Sequence, residues 1–362
     1  MPQPILYIAI TNHGFGHATR AASVAAKIQE LCPEILLILA TTAPRSLLEA
    51  YIPGDFIHRP RGLDVGVVQS DSLTMDKAAT LEKLREIKAN QRSLIASEVN
   101  FIKQNRVGLI LADIPPLAAA IAKAADVPGW MMGNFGWDFI YRAWGGEFIE
   151  MADWIGECFG QCDRLFRLPF HEPMGAFSTI VDTGLTGVNP RFELAELKAK
   201  FNLAETPKEK IALMTFGGLG LDRIPYENVK KFPDWTFICF DLNAPELPNL
   251  LRIDDRFYRP VDFMLLCGRL ISKPGYSTFS EACRLDLPIV SLTREGFAEA
   301  PVLLEGIQNY AYHQILSPAE FFQGDWEFLQ QPLHAPRQSP LLSKDGNQTI
   351  AQAAIDYLIP NH

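Results

Sequence analysis

The sequence has no excess of positive charge and no long apolar run. Its 33 Lys and Arg residues are outnumbered by 42 Asp and Glu residues, which gives a formal net charge of -9 at pH 7. Nucleic-acid binding needs clustered positive charge, so this composition argues against a nucleic-acid partner. A helix that spans a bilayer needs about 20 consecutive apolar residues, and no run approaches that length. We therefore expect a cytoplasmic protein, with peripheral membrane contact left open.

Cysteine is scarce, and its spacing does not match a metal site or a disulfide framework. The sequence has 6 cysteines, and only Cys158 and Cys162 lie near each other, with no further Cys or His close by. Structural zinc sites need four such ligands, so none is expected. Reduced thiols are the norm in the cytosol. The N-terminus passes directly into an apolar run without a charged segment before it, so no signal peptide is expected either.

The sequence does contain enough apolar material for two domains. A chain of 362 residues, 48% of them hydrophobic, is longer than one ordinary core requires. Short apolar runs alternate with amphipathic segments, which is typical of βαβ units and parallel sheets. We predict an N-terminal Rossmann-like domain over residues 1–185, a linker over 186–208, a second Rossmann-like domain over 209–340, and a C-terminal helix over 341–362 near the domain junction.

Residues 265–290 form the most informative stretch, LLCGRLISKPGYSTFSEACRLDLPIV. An apolar run ends, small residues break it, and a helix follows. A helix N-terminus presents unpaired N–H groups, so such a turn can hold a phosphate. The residues that could contact it are Lys273, Gly275, Ser277 and Thr278. Glu281, farther along the helix, could accept two hydroxyls of a ribose. The alternative is an ordinary turn in which this glutamate is solvated.

The N-terminus repeats this arrangement with two histidines in its turn. Residues 5–10 read as a buried parallel strand, and the turn NHGFGH over residues 12–17 precedes a helix from about Thr19. The complete G-x-G-x-x-G pattern is missing, which argues against a nicotinamide-dependent dehydrogenase. The ordinary pKa of histidine suits proton transfer near neutral pH, so His17 is the candidate base. A capping or hydrogen-bonding role is the alternative for His17 and for His13.

Other polar residues follow strands that should end at the same edge of the sheet. Asp113 comes directly after the apolar run 107–112, and it either orients His17 or caps a helix. Arg20, one turn into the first helix, could meet a phosphate, an acceptor or a surface carboxylate. Residues 130–159 hold four of the 6 tryptophans, a concentration that suits either an acceptor wall or a core. The acceptor-side candidates are His13, Asn134, Trp137 and Asp138.

Residues 272–282, SKPGYSTFSEA, resemble the donor-nucleotide segment of GT-B glycosyltransferases. The resemblance is to the family of the peptidoglycan-precursor N-acetylglucosaminyltransferase and the galactolipid synthases. It implies an α/β fold of two Rossmann-like domains facing each other across a cleft. It also implies that Ser277 and Thr278 bind the phosphates of the nucleotide, and that Glu281 binds its ribose. A Gly-Gly-His loop carries the catalytic base of that family, which corresponds to Gly16 and His17.

Two further segments resemble the same family with departures. The glycine turn after the apolar run 211–216 touches donor phosphates in the family, which implies this role for Gly217 and Gly218. Leu219 stands where the family often has serine, so one hydroxyl is missing. The loop that contacts the donor sugar in the family has one counterpart here, Glu299. The glutamine that is usual beside it is absent, so the sequence does not define the sugar.

A longer resemblance is to the amino-terminal, glycosyltransferase-like half of plant L-arabinokinases. Its segments are residues 71–84, 133–144, 162–170 and 273–282. The kinase half of those proteins has no counterpart among these segments. We therefore do not expect this chain to phosphorylate a sugar.

Together these features predict an inverting glycosyltransferase of the hexosyltransferase type. A sugar would pass from a nucleotide sugar, expected to be a UDP-sugar, to the hydroxyl of an acceptor that is either a lipid or a small metabolite. No DxD-type pair stands where it could hold a diphosphate through a metal, so we expect metal independence and no cofactor besides the donor. Two other interpretations stay open. One is a catalytically silent nucleotide-sugar-binding module with a regulatory or sensor role, and the other is a nucleotide-sugar epimerase on the same fold.

Overall fold

The structure, a computed structural model, describes residues 3–69, 73–217, 221, 224–339 and 341–360. Within these ranges the named strands form two separate sheets, and every pairing between them is parallel. Parallel sheets need helices on both faces, and the alternating strands and helices supply them. The chain therefore has two α/β domains, as the sequence predicts.

The first sheet has seven strands within the described ranges, in the order β3-β2-β1-β4-β5-β6-β7. They are β1 Ile5–Ile10, β2 Leu36–Ala40, β3 Ile57–Arg59, β4 Leu109–Asp113, β5 Gly129–Gly133, β6 Arg164–Arg167 and β7 Ile180–Asp182. The order reverses direction between β1 and β4, and open α/β sheets bind ligands in the crevice at such a point. The residues that follow β1 and β4 are therefore placed side by side at this crevice.

The helices of the first domain cover both faces of this sheet. They are α1 Gly16–Leu31, α2 Arg45–Glu49, α3 Lys77–Gln104, α4 Leu117–Ala125, α5 Trp137–Trp144 and α6 Phe148–Phe159. The first helix begins at Gly16 rather than at the expected Thr19, so His17 lies in its first turn. Asp76 caps α3 by accepting a hydrogen bond from the Ala79 N–H at 2.9 Å. Such a cap satisfies one of the N–H groups that every helix start leaves open.

The second sheet has six strands within the described ranges, in the order β10-β9-β8-β11-β12-β13. They are β8 Ile211–Thr215, β9 Thr236–Cys239, β10 Leu250–Arg252, β11 Arg269–Ser272, β12 Ile289–Leu292 and β13 His313–Leu316. Its order reverses between β8 and β11, as the first sheet reverses between β1 and β4. The segment 265–290 thus places a helix N-terminus at the crevice of the second sheet.

The remaining helices belong to the second domain, to the connection before it, or to the C-terminus. They are α7 Leu194–Lys200, α8 Pro260–Met264, α9 Tyr276–Arg284, α10 Glu299–Tyr310, α11 Pro318–Phe322 and α12 Gly346–Leu358. The C-terminal α12 returns to the first domain and packs against α1. Its Asn347 donates hydrogen bonds to the carbonyl oxygens of Ser23 and Gly187, at 3.1 and 2.9 Å. Across the described ranges, no helix combines the length and apolar character that crossing a bilayer requires.

Candidate active site

The first element of the site is a hydrogen-bonded pair, His17 and Asp113. Neighbouring strands β1 and β4 align Ile10 with Asp113, and the α1 turn that follows β1 brings His17 above it. The His17 Nδ1 and Asp113 Oδ1 atoms are 2.7 Å apart, and the side chains are nearly or fully buried. Arg20 NH2 also lies 3.0 Å from Nδ1, but it donates to Asp113 Oδ1 at 2.5 Å, so we assign the proton of Nδ1 to the shorter contact with the carboxylate, which only accepts. The lone pair of His17 therefore lies on Nε2, as a general base requires.

Arg20 is the second partner of this carboxylate. Its Nε donates to Asp113 Oδ2 at 2.6 Å and its NH2 to Oδ1 at 2.5 Å. Burial alone would raise the pKa of Asp113, but Arg20 and His17 overcome that effect and hold it below its usual range. Arg20 is only 3% exposed, and its guanidinium lies 5.0 Å from the Tyr276 ring of the second domain. It is therefore a buried cation at the domain interface. The sequence alone had left a phosphate, an acceptor and a surface carboxylate open as its partners.

The other histidine of the turn, His13, packs against the backbone of Val67. Its Nδ1 lies 3.1 Å from the Val67 N–H, which can only donate, and 3.3 Å from the Val67 carbonyl oxygen, which can only accept. These two contacts call for opposite tautomers of the ring, so we assign none. Burial, followed by the neighbouring charges of His17, Arg294 and Lys273, lowers the pKa of His13 well below its usual value. His13 thus brings a neutral imidazole to the cleft, beside the base.

The second domain faces these histidines with positive charge. Lys273 follows β11 and Arg294 follows β12, so both lie at the carboxyl edge of their sheet. Burial and the neighbouring charge of Arg294 lower the pKa of Lys273 to about 7. Among the described residues no side chain caps α9, so the N–H groups of its first turn can meet an anion. Two cationic groups and a helix N-terminus together are suited to a diphosphate.

A third connection crosses from the first domain to the second. Asn134, at the end of β5, accepts a hydrogen bond from Arg20 NH1 at 2.9 Å. Its Nδ2 donates to Glu299 Oε1 at 2.7 Å. Glu299 lies in the first turn of α10, and both partners are buried. Arg20 can only donate and the carboxylate of Glu299 accepts, so these neighbours fix the orientation of the amide.

These groups line one cleft between the domains, which encloses about 100 Å³. Of the predicted site residues, those that line it are His13, Gly16, His17, Gly217, Lys273, Gly275, Ser277, Thr278 and Glu299. Ligand pockets are commonly about 300–1,000 Å³, so the domains are closed over a space too small for a nucleotide sugar. Ser277 Oγ donates to the Gly16 carbonyl at 2.7 Å across this closed gap. Donor entry therefore requires this gap to widen, and separation of the two domains is one motion that would widen it.

Two predicted site residues lie away from this cleft. Glu281 points along α9 toward the linker, where it contacts Gly187 and is stabilised by the N–H of Val188. Burial raises its pKa to about 7, against the opposing charge of Arg259. Asp138 lies in the first turn of α5, where burial raises its pKa. The ribose role of Glu281 and the acceptor role of Asp138 stay predictions.

Trp137 and Asn134 are close to the cleft but packed behind it. The Trp137 ring is 5.1 Å from the His13 ring, and its Nε1 donates to Thr11 Oγ1 at 2.9 Å. Both polar atoms of Asn134 are engaged by protein groups, as described above. Their acceptor contacts also stay predictions. Gly218 lies outside the described residues.

Sequence patterns did not indicate several residues of this site. Asp64 accepts hydrogen bonds from the Asn12 N–H, at 2.7 Å, and from the Thr11 hydroxyl, so it anchors the histidine turn. Burial raises its pKa to about 7 despite these bonds. It lies outside the named strands, so no strand-end rule could locate it. Arg294 and Phe297 follow β12 at the carboxyl edge of the sheet, so a search of strand ends would have found them. The guanidinium carbon of Arg294 lies 4.2 Å from the centre of the Phe297 ring.

Comparisons with known proteins agree with this geometry. The structural alignment with CalG4, the calicheamicin glycosyltransferase, covers 99% of this chain and 99% of that chain, with a TM-score of 0.66 and 14% identity. The alignment with Medicago truncatula UGT71G1 complexed with UDP-glucose covers 99% of this chain and 91% of that chain, with a TM-score of 0.56 and 13% identity. The alignment with Arabidopsis thaliana UGT89C1 complexed with UDP covers 98% of this chain and 95% of that chain, with a TM-score of 0.58 and 12% identity. The fold is GT-B. At these identities the likeness shows the fold alone.

Sequence comparison gives a separate result. L-arabinokinase of Arabidopsis thaliana is 28% identical over 328 residues, which are 88% of this chain and 31% of that protein. The chain therefore spans about a third of the length of this relative. No protein-family model matches the chain. The resemblance to L-arabinokinase is confirmed as a similarity, while the finer relationship to the peptidoglycan and galactolipid enzymes stays a prediction.

Proposed function

We propose that this GT-B protein is an inverting, metal-independent glycosyltransferase that uses a UDP-sugar. The observation that carries the proposal is the pair of opposed groups in the cleft. His17, with its free lone pair fixed on Nε2 by Asp113, stands in the first domain. Lys273 and the N-terminus of α9 stand in the second domain, and all of them line the same space. A base opposite an anion site is the arrangement that sugar transfer from a nucleotide diphosphate requires.

The reaction follows from these positions. The His17 Nε2 takes the proton of the acceptor hydroxyl as its oxygen bonds to the anomeric carbon. The bond from that carbon to the diphosphate oxygen breaks, and its electron pair leaves with the diphosphate. Attack opposite the leaving group inverts the anomeric centre. Asp113 holds the imidazole in the productive tautomer and stabilises the imidazolium that forms, and such general-base assistance contributes about 10²–10⁴-fold.

The leaving group would be stabilised by the second domain. Lys273, Arg294 and the first-turn N–H groups of α9 supply positive charge where the diphosphate gains negative charge. Groups fixed in place before the reaction are effective because they need no reorganisation at that moment. This charge is our basis for proposing metal independence. Transfer should therefore continue when divalent cations are removed with a chelator.

The direct test is UDP release from UDP-sugars by the wild-type protein and by His17→Ala. We expect release, with or without an added acceptor, to fall by about 10²–10⁴-fold in the variant. The affinity for UDP, measured by calorimetry, should change little because His17 belongs to the other domain. Equal release by both proteins would overturn the assignment of the base.

A nucleotide-sugar-binding module without turnover is the second candidate. The observation that favours it is the similarity to one part of L-arabinokinase, a protein whose remaining length has no match here. Tight UDP binding by the wild type, with no UDP release from any UDP-sugar, would select this function over transfer.

A further inference from the structure

The buried hydrogen-bond chain that crosses the domain boundary connects the base to the donor side. It runs from His17 through Asp113, Arg20 and Asn134 to Glu299, with successive contacts of 2.7, 2.5, 2.9 and 2.7 Å. All five side chains are less than 9% exposed. Only the last contact joins two domains. The first four groups belong to the first domain, and Glu299 is the point at which the second domain reaches this chain of hydrogen bonds.

We propose that Asn134 is a positioning residue that makes the His17–Asp113 base conditional on domain closure. This inference rests on the proposed transfer function and deepens it. The Oδ1 of Asn134 accepts from Arg20, and its Nδ2 donates to Glu299 at 2.7 Å and, at the longer distance of 3.5 Å, to the Phe170 carbonyl oxygen. When the domains separate, Asn134 loses Glu299 and Arg20 loses its packing on Tyr276, 5.0 Å away. Arg20 then keeps its bonds to Asp113 and Asn134 but lacks Tyr276, and Asn134 lacks its anchor on Glu299, so the carboxylate that orients His17 is less constrained.

The consequence is protection of the donor. An open cleft admits water, and a base that is fully positioned in the open state would promote hydrolysis of the nucleotide sugar. A base that is positioned only on closure acts after water has been excluded. Asn134 is suited to this role because it contacts Arg20 and Glu299 at the same time.

The test replaces the donor at the interdomain contact with an acceptor. Asn134→Asp places a carboxylate against Glu299, and two carboxylates at this distance repel unless they share a proton. The cations that face this pair are Arg20, beside residue 134, and Lys273, beside Glu299. We expect this variant to close with UDP at pH 5 and to stay open at pH 8, as measured by small-angle X-ray scattering. At pH 8 its kcat for UDP-sugar turnover should fall at least tenfold, with KM changed less than threefold. Adding Glu299→Gln restores a donor and an acceptor, so the double variant should close at both pH values.

Asn347→Ala is the matched control. Asn347 joins α12 to α1 and to the linker, through Ser23 and Gly187, and its hydrogen bonds do not involve Arg20. Its kcat and pH profile should follow those of the wild type even if its melting temperature falls. The inference is overturned if Asn134→Asp closes equally at both pH values, if Glu299→Gln fails to restore closure, or if Asn347→Ala loses kcat to the same extent. Small-angle X-ray scattering measures domain closure without any turnover. If the protein closes as expected but releases no UDP from UDP-sugars, the proposed transfer function fails while the inference on closure stands.

Discussion

At the residue scale, the site depends on charges that are buried beside one another. Arg20 and Asp113 form an ion pair in which neither side chain is more than 2% exposed. Taking both charges out of water is costly, and their mutual attraction offsets this cost only while both are present. The pair is therefore sensitive to the removal of either member.

Asp113→Asn should destabilise the protein by about 3–5 kcal/mol, because it leaves Arg20 buried without its counter-charge. Denaturant unfolding measures this difference. Glu49→Gln, which breaks the exposed pair with Arg45, is the matched control and should change stability little. If the two variants unfold at the same denaturant concentration, Asp113 does not hold a buried charge.

Lys273 gives a second prediction at this scale. Its pKa is lowered to about 7 by burial and by Arg294, and a bound diphosphate would raise it. The ammonium is already charged below pH 7, so affinity for UDP should be highest there. Above pH 7 binding must take up a proton, and affinity should fall by as much as tenfold per pH unit.

Calorimetry of UDP binding between pH 7 and 9, in buffers with different ionisation enthalpies, measures this proton uptake. Lys273→Arg keeps its charge throughout the range, so its affinity should be nearly independent of pH. A wild-type affinity that does not change over this range would show that Lys273 is not part of the anion site.

At the scale of elements, the histidine turn is shaped by glycines with positive φ. Gly14 and Gly66 have φ of +60° and +61°, values that other residues adopt at a cost. A Cβ at Gly66 would lie 2.4 Å from His13 Cβ, whereas a Cβ at Gly14 would meet nothing within 4 Å. The two positions share a backbone conformation and differ in their contact with His13.

Alanine at either position should therefore cost about 1–2 kcal/mol for the left-handed backbone. Gly66→Ala should in addition displace His13 and lower kcat, while Gly14→Ala should leave kcat near that of the wild type. Unfolding and UDP-release assays on both variants separate the two effects. Equal kcat values in the two variants would mean that the position of His13 has no influence on turnover.

The same scale shows what the sequence can predict. The buried strands and the βα turns are local patterns, so the positions of His17 and Lys273 at strand ends followed from them. From the sequence alone, residues 255–258 could form an edge strand, and the structure shows that this interpretation is wrong. The Asp255 side chain accepts the Phe257 N–H at 2.9 Å and forms a turn, and the edge strand is β10. A side-chain bond of this kind competes with strand pairing, and an apolar pattern does not reveal it.

Contacts between distant segments could not be predicted either. Asn134 and Glu299 are 165 positions apart, and their hydrogen bond depends on how two folded domains meet. The direction of Glu281 is decided in the same way, because the linker at Val188 packs on its face of α9. Helical spacing placed Glu281 on the correct helix but gave no information on which neighbour would cover it.

At the scale of the whole molecule, two parallel-sheet domains bring their carboxyl edges together. The first contributes an imidazole with an oriented lone pair, and the second contributes positive charge at a helix N-terminus. The cleft between them holds about 100 Å³, so it must widen before a nucleotide sugar can bind. Our central claim is that His17 of one domain faces a diphosphate held by the other.

The measurement that tests this claim most directly is a crystal structure of the protein with UDP bound. We predict diphosphate oxygens at about 2.7–3.2 Å from Lys273 Nζ and from first-turn N–H groups of α9. His17 Nε2 should face them across the cleft, and the electron density would also show whether Glu281 leaves Val188 for the ribose. UDP bound away from α9, or a His17 ring turned out of the cleft, would contradict the account.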